Sequence, residues 1–153
     1  MRRRRARRAT EELRRAVRCL PPATRAAMLA GLREEERIVA GAYSHGGGVC
    51  PMLAAHRRGG RTSVLAFAKA WDRFTGAARP RRASDREIRV LAAQLEASLA
   101  ADADFAAAIA GHRAMLADAA GSLARLEAGG QMVSPGRLKT ISGMRQPGEV
   151  LRT

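Results

Sequence analysis

The residue types that could support chemistry are concentrated between Tyr43 and His56. This segment holds two of the three histidines and one of the two cysteines of the chain, placed around a run of three glycines. Its candidate ligands or reactive groups are His45, Cys50 and His56. Histidine nitrogen and cysteine sulphur are ligands that zinc prefers in proteins. A zinc site at these three residues is therefore one hypothesis, and it needs a fourth ligand from elsewhere in the chain or from water.

Cys50 supports two other hypotheses. If a helix begins at Pro51, its N-terminus would stabilise the thiolate and lower the pKa of Cys50, which could then act as a nucleophile or a redox group. The alternative is a small apolar side chain that only packs at a helix start. The pair Cys50-Pro51 also resembles the Cys-Pro pairs of haem-sensing regulators, but the match covers two residues, and we do not expect haem.

The glycine run Gly46, Gly47 and Gly48 is a candidate anion-binding loop. Backbone N–H groups in such a run, leading into a helix N-terminus, can bind a phosphate or a carboxylate. A nucleotide-hydrolysing phosphate loop is excluded, because no Gly-Lys-Ser or Gly-Lys-Thr follows the glycines. The Gly-x-Ser-x-Gly elbow of lipases and esterases is missing as well.

Positive charge is the strongest physical signal in the rest of the chain. The 153 residues carry a formal charge of +14, of which +6 lies in residues 2–8 and +3 in residues 129–153. Clustered guanidinium groups attract nucleic-acid phosphates without reading the base sequence, although a GC-rich genome would also enrich arginine on solvated faces. The candidate phosphate-binding residues are Arg2, Arg3, Arg4, Arg5, Arg7, Arg8, Arg79, Arg81 and Arg82.

The composition predicts an all-α protein, because alanine and leucine dominate the apolar residues and both favour helix. We expect a small bundle of about five helices within one domain, residues 9–128. Residues 1–8 are predicted to be a disordered basic arm, since like charges repel one another and bury nothing. Residues 129–153, with scattered glycine, proline and serine, are predicted to be a flexible tail.

Local signals place the helices. The predicted ranges are 10–19, 22 to about 42, 51–58, from Thr62 or Ser63 through Phe74, 84–100, and from Asp102 or Asp104 to about 127. Proline at the first helical turn marks the second and third starts. Ser84 and Glu87 fit a capping box. Phe67 and Trp71 share one helix face and are predicted to lie in the core.

The last predicted helix carries a heptad-like seam. The seam residues are Phe105, Ile109, His112, Leu116, Ala119, Leu123 and Leu126. We expect this seam to pack against the 84–100 helix as an antiparallel hairpin, with His112 in a structural role. A protein partner or a homo-oligomer through the 103–127 helix is the alternative, and the chain would then serve as an adaptor.

Together these patterns favour a basic helical accessory or regulatory protein that binds nucleic acid, or the transcription machinery, without catalysis. The alternative function is a metal- or thiol-dependent sensor or small enzyme that uses the Tyr43 to His56 segment. The arginine-rich start is not followed by the apolar stretch of a secretory signal, and no run reaches the roughly 20 apolar residues of a membrane span. We therefore expect a cytoplasmic protein with reduced cysteines.

Overall fold

The computed structural model of the protein describes residues 1–61 and 65–130, except the side chain of Arg2. Most of this part of the chain is helical, as the composition predicts. In chain order the elements are α1 (Arg2–Arg18), α2 (Pro22–Glu34), β1 (Val39–Ala40), β2 (Ser44–His45), β3 (Gly48–Val49), α3 (Pro51–His56), α4 (Leu65–Thr75), β4 (Arg81–Arg82) and α5 (Asp85–Gly129). Contacts divide the chain into a first unit, residues 1–110, and a second that begins at Gly111. None of the helices described is both long and apolar enough to cross a membrane.

The predicted disordered arm is instead the start of α1. Arginine and alanine are both good helix formers, so residues 2–8 join the helix that the sequence places at 10–19. The N–H group of Arg5 donates to the carbonyl of Met1 at 3.3 Å. Leu13 and Val17 are fully buried. The predicted tail from residue 131 onward lies outside the described residues.

The second helix is shorter than predicted, and short strands follow it. α2 ends at Glu34, although the helix dipole disfavours negative charge at a C-terminus; Arg58 compensates Glu34 and Glu35 there. The β-branched residues Ile38 and Val39 then favour extended backbone. β1 pairs with β4 in antiparallel register, with Val39 opposite Arg82.

The aromatic core is confirmed at two of its predicted positions. Phe67 is 0 % and Trp71 2 % exposed, and the Trp71 Nε1 group donates to the Val39 carbonyl at 3.1 Å. Phe74 is partly buried, with its ring centroid 6.0 Å from that of Trp71. The predicted cap at Thr62 or Ser63 lies outside the described residues. Tyr43, at the start of the candidate segment, is 56 % exposed in the loop after β1.

The predicted antiparallel hairpin of residues 84–127 is wrong, because this stretch is the single helix α5. Residues 100–104 contain neither glycine nor proline, so nothing in them breaks the helix. Asp102, one of the two predicted starts of the last helix, lies within α5 and is bound by Arg25. The hydrophobic seam therefore has no second half of a hairpin to pack against.

The predicted start of α5 is confirmed. The N–H group of Ser84 donates to Glu87 Oε2 at 2.8 Å, and the N–H group of Glu87 donates to Ser84 Oγ at 3.3 Å, which is a capping box. Arg81 in β4 donates to both carboxylate oxygens of Glu87, at 2.7 and 3.0 Å. These bonds fasten the first turn of α5 to the β1–β4 pair.

A buried arginine joins α2 to α5. Arg25 is 4 % exposed, and its Nε group donates to the Leu20 carbonyl at 3.0 Å. Its two terminal nitrogens donate to Ser98 Oγ and, at 2.5 Å, to Asp102 Oδ2. All three sides of the guanidinium group are thus satisfied, as a buried charge requires.

Candidate functional site

The exposed face of α1 carries a cluster of charged side chains available to a partner. Five arginines of its first two turns are exposed: Arg3, Arg4, Arg5, Arg7 and Arg8. None of them lies within 4 Å of a described carboxylate oxygen. Residues four apart on a helix are neighbours, so Arg3 lies beside Arg7 and Arg4 beside Arg8. These five residues are called the α1 basic face below.

The opposite face of α1 is fixed to the first unit. Leu13 and Val17 are buried in the core, and the Thr10 carbonyl accepts a hydrogen bond from Gln94 Nε2 at 3.4 Å. Glu12 forms an ion pair with Arg73 of α4 at 3.1 Å. Because one side of the helix is held in this way, its arginines are presented from a folded surface and not from a free peptide.

A cleft of about 540 Å³ lies between the first turns of α1 and the C-terminal end of α4. Arg5 and Arg8 line it from α1, and Arg73 lines it from α4. Two carboxylates, Glu12 and Asp72, lie in the same wall. The negative charge of Glu12 offsets the positive charge of Arg73. The N–H group of Gly41 donates to Asp72 Oδ1 at 2.9 Å. The cleft therefore extends the α1 basic face with a mixed, less positive surface.

The second predicted phosphate-binding stretch, Arg79, Arg81 and Arg82, is only partly exposed. Arg81 is half-buried and makes its bonds to Glu87 and to the Thr75 carbonyl, so its charge is compensated within the fold. Hydrogen bonds to Glu87 raise the pKa of Arg81 further above its ordinary value. Arg79 and Arg82 are exposed. Of the three predicted residues, Arg81 has a structural role in this arrangement.

The glycine run is the turn of a β-hairpin. β2 and β3 pair with His45 opposite Gly48, and Gly46 and Gly47 between them have φ values of 55° and 76°. Tight hairpins favour two-residue turns in which both residues have positive φ angles, and glycine adopts such angles without strain. The Arg37 Nη1 group donates to the Gly46 carbonyl at 2.9 Å. Gly48 in β3 is needed for a different reason, because a Cβ atom there would lie 2.6 Å from Val39 Cγ1. The turn and its packing therefore account for all three glycines.

Cys50 lies where the sequence predicts, and its surroundings fit the packing alternative better than the reactive thiolate. The residue is the N-cap of α3, and its Sγ accepts a hydrogen bond from the Leu53 N–H group at 3.4 Å. The thiol is buried, next to a small cavity of about 190 Å³ lined by Tyr43, Met52 and Trp71 among others. Burial raises the pKa of Cys50 and outweighs the hydrogen bond from Leu53, so the thiol stays protonated at neutral pH.

The two histidines of the segment do not join Cys50 in a cluster. His45 is exposed in β2, and His56 is exposed at the last residue of α3. Within residues 1–61 and 65–130, no three His, Cys, Asp or Glu side chains are grouped so that they could hold a metal ion. The third histidine, His112, is exposed on α5.

An ion-pair cluster that the sequence did not indicate holds α3 against α2. Arg58 donates to Glu34 and Glu35 at 3.0 Å each, and Arg57 lies 3.3 Å from Glu35. Hydrogen bonds from Arg58 lower the pKa of Glu35 despite the opposing effect of burial. The two helices also approach closely at Gly31, where a Cβ atom would lie 2.7 Å from Ala54 Cβ. Arg57 and Arg58, which follow Cys50 by seven and eight residues, are therefore engaged with acids.

Comparison with protein-family models, curated proteins and solved structures finds no match to this chain.

Proposed function

We propose that the protein is a non-catalytic accessory protein that binds nucleic acid through the phosphate backbone. The observation that carries the proposal is the α1 basic face: five exposed arginines on one anchored helix, with no described carboxylate within 4 Å. Arginine is well suited to phosphate, because its planar guanidinium group can donate two parallel hydrogen bonds to neighbouring oxygens. Such contacts position a protein on nucleic acid and do not select a base sequence.

The helical state of these residues supports this function over binding by a flexible arm. A disordered segment loses conformational entropy when it binds, whereas α1 is anchored just after its basic turns, through Leu13, Val17 and the Glu12–Arg73 pair, so less ordering remains to be done on binding. The major groove of DNA, about 12 Å wide, also admits an α-helix. α1 can therefore lie along a groove with its arginines directed toward the flanking phosphates.

Contacts of this kind make a quantitative prediction. Neutralising about five phosphates gives a slope of roughly −4.5 in a plot of log affinity against log salt concentration, since each contact on duplex DNA contributes about −0.9. Raising the salt from about 50 to about 200 mM should then weaken binding roughly 500-fold. Binding should also be nearly independent of the base sequence of the duplex.

The test is fluorescence anisotropy with a labelled duplex of mixed sequence across that salt range. The variant Arg4→Gln, Arg7→Gln, Arg8→Gln removes three charges from the α1 basic face while keeping good helix formers. It should bind more weakly and reduce the slope by about 2.7. The control Arg86→Gln, Arg89→Gln, Arg125→Gln removes the same number of exposed charges from α5 and should keep a slope near that of the wild type.

Two results would overturn the proposal. A flat salt response of the wild type would show that phosphate contacts do not supply the affinity. Equal losses in the two triple variants would show that binding follows net charge and not the α1 basic face.

A further inference from the structure

The second unit begins within α5 and exposes large apolar side chains. Met115 is 71 %, Leu116 57 %, Leu123 63 % and Leu126 72 % exposed. Single exposed apolar residues are ordinary on a protein surface, but four on one stretch of helix form a patch typical of an interaction site. Phe105 and Ile109, in the preceding turns of α5, are exposed as well.

The spacing of these residues is that of a coiled-coil seam. His112, Leu116, Ala119, Leu123 and Leu126 alternate in steps of four and three, which places them on one helix face at the core positions of a heptad repeat. The same register, followed back along the sequence, contains Leu91 and Leu95. Those two leucines are fully buried in the core of the first unit. The seam thus continues, in sequence, a set of positions that is already used for helix packing.

We propose that the seam residues 112–126 pair with the same residues of a second copy of this chain, as an antiparallel two-stranded coiled coil. In this register Leu116 lies opposite Ala119 of the second copy, and His112 opposite its Leu123. A leucine facing an alanine alternates large and small side chains across the interface, which lets the two helices approach closely. The proposal stands independently of nucleic-acid binding.

Charge favours the antiparallel orientation and this register. The core-flanking positions of the seam carry one basic residue, Arg113, and one acidic residue, Glu127. In the antiparallel register Arg113 of each copy lies beside Glu127 of the other, so the two charges complement each other twice. In a parallel pair Arg113 would instead lie beside Ala108 and Glu127 beside Ser122 of the second copy, and no ion pair would form.

The C-terminal part of α5 would also gain stability from a partner. Gly111 and Gly121 lie within α5; among the described residues, no atom outside the local helix is close to Gly111 and only the Arg125 side chain is near Gly121. Glycine lowers helix stability relative to alanine, and neither position gains close packing against the rest of the described chain in exchange. Most helical stability in proteins comes from packing an apolar face, and the second copy supplies that packing.

The experiment is sedimentation equilibrium of the full chain over about 1 to 100 µM, where self-association is governed by mass action. The wild type should reach the mass of a dimer, whereas Leu116→Glu, Leu123→Glu should remain a monomer. The matched control Ala117→Glu, Ala124→Glu adds the same charges one position away, outside the seam, and should still dimerise. Circular dichroism of each variant checks that helix content is retained.

Orientation is tested by exchanging the flanking charges. Arg113→Glu alone and Glu127→Arg alone should each weaken the dimer several-fold, and the double variant should restore it. A wild type that stays monomeric at about 100 µM would overturn the proposal and assign the seam to a different protein. The proposal would also be overturned if the control variant dissociated to the same extent as the seam variant. If the double exchange failed to restore the dimer, the antiparallel register would be rejected.

Discussion

Arg25 and Arg4 are the same residue type in two different environments. Arg25 is buried, and each side of its guanidinium group donates to an acceptor in the first unit. Arg4 is exposed and lies within 4 Å of no described carboxylate. A buried charge must be paired to be tolerated, whereas an exposed charge remains free to exchange water and counterions for a phosphate. Burial and pairing therefore separate structural arginines from those available to a partner.

Replacing Arg25 with alanine should lower the free energy of unfolding by about 3 kcal/mol, because Ser98 Oγ and the Leu20 carbonyl lose a buried donor and Asp102 loses its charge partner. The control is Arg33→Ala, which breaks the exposed Arg33–Glu96 pair and should cost less than about 0.5 kcal/mol. Urea unfolding followed by the fluorescence of the buried Trp71 measures both. Equal losses in the two variants would contradict this role for Arg25.

Sequence alone could locate some of these residues but not their environments. Cys50 was correctly placed at a helix start, yet its pKa depends on burial beside Met52 and Trp71, and Trp71 is distant in sequence. Arg25 gave no signal, because an arginine within an alanine-rich helix has the pattern of a solvated residue. Only its contacts with Ser98 and Asp102 of α5, distant in sequence, reveal that it is buried.

Three helix starts in this chain, those of α2, α3 and α5, could be read from local sequence, whereas the start of α1 and two helix ends could not. The Ser84–Glu87 capping box and Pro51 after the Cys50 cap act within one turn, so their patterns are visible without tertiary structure. The strands could not be predicted, because each is only two residues long and shows no alternation. The continuity of α5 was missed because two aspartates, Asp102 and Asp104, imitate a cap in mid-helix.

Glu87 provides a test of how α5 is fastened at its start. Burial would raise the pKa of Glu87, but hydrogen bonds from Arg81 and Ser84 outweigh it and hold that pKa below its usual range. Glu87→Gln, which removes the charge, should lower the free energy of unfolding at neutral pH by about 1 kcal/mol. Urea unfolding measured at a series of pH values gives this difference directly.

The pH dependence has a definite sign. A carboxylate with a lowered pKa in the folded state contributes stability that is fully present above the unfolded value of about 4.3 and is lost as the pH falls through the folded value. The difference between wild type and Glu87→Gln should therefore shrink in acid. A difference that stays constant between about pH 7 and pH 3 would contradict this account.

On the scale of the whole molecule, the excess of basic over acidic residues is distributed unevenly. Many acids pair with arginines inside the first unit: Glu11, Glu12, Glu34, Glu35, Glu87, Glu96 and Asp102. These pairs neutralise the arginines that contact them and leave the α1 basic face uncompensated among the described residues. A formal charge of +14 thus gives less information about function than the position of the arginines that remain free.

If the α1 basic face binds nucleic acid, the ligand should stabilise the folded protein. A ligand that binds only the folded state at 100 times its dissociation constant adds about 2.7 kcal/mol to the free energy of unfolding. Thermal unfolding followed by Trp71 fluorescence should therefore shift to higher temperature in excess duplex DNA. The shift should be largely lost in the Arg4→Gln, Arg7→Gln, Arg8→Gln variant, and an undiminished shift there would contradict the assignment.

The first turn of α1 has no side-chain cap and no acidic residue. Its arginines repel one another across successive turns, and they stand at the positive end of the helix dipole, where a cation is least favoured. The N-terminal two turns should therefore fray more readily than the rest of the helix when no anion is present. A phosphate strand would relieve both penalties at once, so nucleic acid would serve as the missing cap, and the amide hydrogens of these turns would exchange more slowly in its presence.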